Sequence, residues 1–126
     1  MQGNQSEGIG VEMMSSTGYN DEAEKIYEIE KTKEFDKWFD KLKDESAKAV
    51  IAERIERFEG GNIGDSRHIE NGLNELRIHC GAGYRVYWFR IGEKVVLLAF
   101  GGDKSTQKRN IKKAQKIMMA YREEQR

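Results

Sequence analysis

LNELRIHCGAGYRVYWFRIGEKVVLLAF, residues 73–100, is the stretch that decides the fold. Leu76, Ile78 and Cys80 alternate with Arg77 and His79. After Gly81-Ala82-Gly83, Tyr84, Val86 and Trp88 alternate with Arg85, Tyr87 and Phe89. Successive side chains of a strand point to opposite faces, so the alternation predicts two strands, over 73–80 and 84–91. A three-residue glycine-rich loop with Gly83 left-handed suits an antiparallel hairpin. Residues 95–100, VVLLAF, are continuously apolar, as in a strand covered on both faces.

Working outward, KIYEIEKT (25–32) alternates apolar and charged residues and reads as a first strand. Thr32 is a good N-cap for a helix carrying Phe35, Trp38, Phe39 and Leu42 on one face. Asp44 caps a second helix whose stripe is Ala47, Val50, Ile51, Ile55 and Phe58, and the short break between the two suggests a helical hairpin. GGNIGDS (60–66) ends it. Beyond the apolar strand and GGDKSTQ, a last helix from 108 places Ile111, Ala114, Ile117, Met118 and Tyr121 on one side. The expected fold is α+β, in the order β-α-α-β-β-β-α, with no internal repeats and no proline.

The 126 residues suggest one folded unit. Residues 1–24 hold five acids and no Lys or Arg, and their Gly, Ser, Asn and Glu content reads as a disordered acidic tail. They also read as an upstream extension, with Met13 or Met14 the natural start. The remainder, 25–126, carries the fold. One cysteine rules out an internal disulfide framework and fits a reducing cytosol. No apolar run approaches the roughly 20 residues that span a bilayer, so a soluble, cytoplasmic protein without membrane contact is expected. Net charge is zero, but residues 61–126 carry thirteen Lys and Arg against seven Asp and Glu. A basic C-terminal half is the footprint of a polyanion binder.

With Gly81-Ala82-Gly83 as the loop, Cys80 pairs with Tyr84, His79 with Arg85, Ile78 with Val86, Arg77 with Tyr87 and Leu76 with Trp88. One face then packs on the helical hairpin. The other collects Arg77, His79, Arg85 and Tyr87. His79 facing Arg85 is unfavourable unless an anion lies between them, and the arginine disfavours a protonated imidazole. Lys104 follows the last strand, where the chain returns beside the hairpin, and Lys108, Arg109 and Lys112 open the last helix. Other motifs fail. FGGDKST has Asp103 where a phosphate-binding P-loop needs glycine. His79 and the adjacent Cys80 point to opposite faces, so no zinc set forms. Asp65, Glu70 and Glu75 read as scattered. No metal and no cofactor are expected.

The order of elements, the hairpin L-R-[IV]-x-x-G-x-G-Y-R-V-Y and the following G-G-x-K-x-T-Q resemble the RelE/HigB toxins of type II toxin–antitoxin modules, in their addiction module killer protein branch. The resemblance spans roughly residues 25–120. It implies a small twisted antiparallel sheet with helices on one side, cleavage of mRNA, commonly on the ribosome, and a cognate antitoxin that binds the toxin as a hetero-oligomer. Arg85 in GYRVY matches the arginine such toxins place on the scissile phosphate. Arg77, His79 and Lys104 fall at or near further basic positions. Some of these toxins carry a tyrosine early in the last helix; STQKRNIKK has none. RNA cleavage through the 2′-hydroxyl needs proton transfer and charge stabilisation. His79 is expected as base or acid, Arg85 on the phosphate, and Arg77 and Lys104 on flanking charge. Tyr84 and Tyr87 are expected to stack on bases, and Lys108, Arg109 and Lys112 to bind RNA. A ParE-like gyrase inhibitor and a non-catalytic antitoxin-binding protein remain open alternatives.

Overall fold

The computed structural model describes residues 25–126. The tail expected over 1–24 lies outside the described residues. Five strands form one sheet: β1 (Glu28–Lys31), β2 (Ser66–Glu70), β3 (Leu73–Ile78), β4 (Tyr84–Ile91) and β5 (Val95–Asp103). Three helices accompany them: α1 (Lys33–Lys41), α2 (Glu45–Glu59) and α3 (Gln107–Glu124). The spatial order of strands is β1-β5-β4-β3-β2.

Both helix starts follow from their caps. The Thr32 hydroxyl accepts from the Phe35 N–H at 2.9 Å, and the Asp44 carboxylate from the Ala47 N–H at 3.0 Å. Each satisfies one of the amide donors left over at a helix start. Phe35, Ala47, Ile51, Ile55 and Phe58 turn inward onto Leu76, Ile78, Tyr84, Val86, Trp88, Val96 and Leu98. Phe58 meets Trp88 edge-on, with ring centroids 4.9 Å apart.

The second core lies on the other face of the sheet, where Ala114 and Met118 of α3 cover Leu73, Tyr87, Phe89, Leu97 and Ala99. The expectation of helices on one side is therefore corrected. β5 explains why: Val96 and Leu98 serve one core while Leu97 and Ala99 serve the other, as its continuous apolar run implies.

Three further corrections concern topology. β1 runs parallel to β5, so the sheet is mixed rather than antiparallel. The two expected helices pack on the sheet, α1 against β5 and α2 against β3, more than on each other as a helical hairpin. And an unexpected strand, β2, pairs with β3 through a tight turn. Asn71 (φ 57°) and Gly72 (φ 93°) both adopt the left-handed region in that turn, the backbone a two-residue hairpin requires. β2 hides from a periodicity reading because it is a polar edge strand with an irregular register between His68 and Glu70.

Close packing explains the glycines that end β5. A side chain at Gly101 would enter the Trp38 ring of α1, and one at Gly102 would enter the Asn110 amide of α3. The two helices thus clamp the end of β5 from opposite faces, and α3 begins directly over the hairpin.

Candidate functional site

β3 and β4 pair with Arg77 opposite Arg85, not His79 opposite Arg85. β3 ends at Ile78, and residues 79–83 form the loop. The Gly83 N–H closes it on the Cys80 carbonyl at 2.9 Å. The register therefore differs by two residues from the expected one. An even shift keeps every side chain on its face, so the expected core face survives while the cross-strand partners change. Like charges directly opposite on a sheet repel. The repulsion now falls on two guanidiniums, which hold their charge throughout the accessible pH range.

Among the described residues, one buried carboxylate lies among these cations. Glu75 is fully buried. Arg67 Nε donates to its Oε1 at 3.0 Å, Gln107 Nε2 to its Oε2 at 2.7 Å, and the Tyr87 hydroxyl to the same Oε2 at 3.2 Å. Arg77 Nε stands 3.6 Å from Oε1. Burial pushes the Glu75 pKa up, but the hydrogen bonds from Arg67 and Gln107 and the charges of Arg67 and Arg85 outweigh it. The carboxyl is held below its ordinary range. Burial first, then the Glu75 charge, pushes the Tyr87 phenol well above its ordinary value, so it acts as a neutral donor.

One buried carboxylate thus stands against three guanidiniums, Arg67, Arg77 and Arg85. Arg77 Nε and Arg85 Nε and Nη1 are shielded from solvent, with no hydrogen-bond partner among the described residues. Leaving such donors unmet costs about 1–3 kcal/mol each. Both side chains are half-buried, and an oxyanion seated on their solvent-facing parts would relieve the cross-strand repulsion. The N-terminus of α3 borders the same place, since Gln107 binds Glu75 and Asn110 packs over Gly102, the β5 partner of Arg85.

Other expected residues lie around this centre. Lys104 is exposed at the end of β5, within packing distance of Gly83. Its turn is held by Asp103, whose carboxylate accepts from the Ser105 hydroxyl at 2.6 Å and the Ser105 N–H at 2.9 Å. Lys108, Arg109 and Lys112 are exposed along α3. His79 sits in the loop, where its Nε2 meets the Asp65 carboxylate. Its expected neutrality rested on Arg85 as its neighbour, and that ground is gone.

The stacking role expected of Tyr84 and Tyr87 is corrected by their burial, at 8% and 0% exposure. Tyr84 fills the core under α1 and α2; Tyr87 lies beneath α3 and binds Glu75. Neither ring offers a face to a base.

Sequence reasoning missed Arg67, Glu75, Gln107 and Asp65. The signal for the first two was Asn71-Gly72, a strong hairpin turn. Even with that turn recognised, the irregularity after His68 displaces the pairing that sets Arg67 against Glu75. Among the described residues no three His, Cys, Asp or Glu side chains converge to hold a metal ion, and no helix is long and apolar enough to cross a membrane.

Fold and site together define a small α+β protein with an arginine cluster around a buried carboxylate on its central strands, walled by the start of its last helix. Comparison with known proteins narrows this. The family described as "Phage derived protein Gp49-like (DUF891)" matches residues 37–122, and the chain belongs to that family. The Gp49-like family is associated with toxin–antitoxin modules. A Haemophilus influenzae protein, described as uncharacterized, is 48% identical over 87 residues, covering 69% of this chain and 88% of the relative.

Proposed function

We propose that this protein is the toxin of a type II toxin–antitoxin pair in the RelE/HigB branch, a metal-independent endoribonuclease that cuts mRNA during translation in the cytoplasm. The observation that carries this reading is the Arg77–Arg85 pair, two half-buried guanidiniums directly opposite each other on the sheet. A phosphodiester supplies the negative charge that relieves their repulsion. Arg85 contacts the scissile phosphate through the exposed part of its guanidinium. Arg77 and Arg67 add positive field, shared with Glu75. Lys104, Lys108, Arg109 and Lys112 extend that field toward flanking phosphates.

Cleavage proceeds by attack of the 2′-oxygen on phosphorus. The 2′-oxygen–phosphorus bond forms, the phosphorus–5′-oxygen bond breaks, and the upstream fragment ends in a 2′,3′-cyclic phosphate. His79, in the loop beside the arginines, exchanges the proton. A cognate antitoxin binds the toxin and keeps it inactive.

The chemistry is tested with the purified full chain, translating ribosomes and a defined mRNA. The expected upstream fragments end in a 2′,3′-cyclic phosphate or its 3′-phosphate hydrolysis product. Fragments ending in a 3′-hydroxyl would rule out attack by the 2′-oxygen. Intact mRNA would remove the nuclease reading.

A further inference from the structure

The Asp65–His79 pair lies beside the arginine cluster, and the expected chemistry of the hairpin takes no account of Asp65. Its backbone is fixed by the sheet: the Arg77 N–H donates to the Asp65 carbonyl at 2.8 Å, extending the β2–β3 pairing by one rung. That rung delivers the Asp65 carboxylate to His79, two residues beyond Arg77. Both side chains are open to solvent, at 47% and 71% exposure. As a surface ion pair the contact contributes little to stability, and nothing in the core depends on it.

The carboxylate is ionised at neutral pH. The hydrogen bond from His79 holds its pKa below the ordinary range, against slight desolvation, and the charges of Arg77 on β3 and Arg54 on α2 act the same way. An ionised carboxylate only accepts hydrogen bonds. The nitrogen facing it, Nε2, therefore carries hydrogen, and in a neutral ring the lone pair resides on Nδ1.

We propose that Asp65 is a positioning residue that fixes the tautomer and ring orientation of His79, making Nδ1 the nitrogen that takes the proton from the RNA 2′-hydroxyl. Nδ1 accepts the proton while the 2′-oxygen–phosphorus bond forms. The 5′-oxygen leaves and takes a proton from water. The imidazolium then neutralises the hydroxide left behind, and Asp65 stabilises that imidazolium in the interval. The role of Asp65 rests on the nuclease reading; its hold on the tautomer does not.

The test compares the full-length wild type with Asp65→Asn and Asp65→Glu in two measurements. One is the imidazole nitrogen NMR spectrum, in which the chain has only two histidines to assign, His68 and His79. The other is cleavage of a defined mRNA on translating ribosomes. Wild-type His79 is expected in the Nε2–H form. Asp65→Asn is expected to mix the tautomers and lower kcat about tenfold or more, with KM little changed. Asp65→Glu should restore part of both. Cleavage and tautomer both unaffected by Asp65→Asn would overturn the inference while leaving the nuclease reading in place. If the wild type does not cut mRNA, the nuclease reading and the catalytic role fall together. The tautomer comparison then still decides whether Asp65 orients the ring.

Discussion

Glu75 concentrates the physics of the molecule in one side chain. It is a fully buried carboxylate joining β2, β3, β4 and α3 through Arg67, Arg77, Tyr87 and Gln107. Removing one partner from a buried ionic network leaves the others uncompensated. Arg67 and Arg77 keep 48% and 35% of their side-chain exposure, so water recovers part of the loss. Glu75→Ala is expected to destabilise the fold by about 2–3 kcal/mol, read from the urea midpoint. The same residue sets an acid limit. Its folded-state pKa lies below the ordinary 4.5, so its contribution is complete above that pH and is lost as the pH falls through the folded value. Urea unfolding from about pH 7 to about pH 3 should show the wild type losing stability on the acid side. Glu75→Gln should give a shallower decline, and equal slopes would mean that Glu75 is not a linked group.

At the scale of elements, the sequence was legible where one physical signal dominated. Thr32 and Asp44 announced α1 and α2, and both hydroxyl and carboxylate caps are made. The strands of VVLLAF and YRVYWFRI emerged from periodicity and from apolar content on both sides. What stayed hidden depended on long-range partners. β2 is polar and lies at an edge, and its stability comes from β3. The parallel pairing of β1 with β5 leaves no local trace. The hairpin loop could be drawn as three or five residues without moving a side chain to the wrong face, so alternation alone could not fix it. The glycines after VVLLAF mark a close contact that sequence presents only as a turn. Gly101→Ala should push against the Trp38 ring and destabilise the protein by about 1–3 kcal/mol. A urea midpoint equal to that of the wild type would show that α1 yields at that contact.

For the whole molecule, the candidate site was half readable. Arg77, Arg85 and Lys104 were picked out from their face and position, and the structure gathers the two arginines more closely than expected, as direct neighbours across β3 and β4. The counter-charge that makes the cluster tolerable is Glu75, and its pairing with Arg67 is set by an irregular strand register that sequence does not display. The result is a positive site with a fixed internal carboxylate and unmet donors, on a chain of zero net charge. In the proposed function the anion is brought to it by a larger target, since long-range attraction from the molecule as a whole is weak. The most direct test of the account is brief induction of the full chain in bacteria, with mRNA 5′ ends mapped at once. New ends inside translated codons, absent with Arg85→Ala, are expected. Growth arrest without new ends, or new ends that persist with Arg85→Ala, would contradict the arginine pair as the seat of mRNA cleavage.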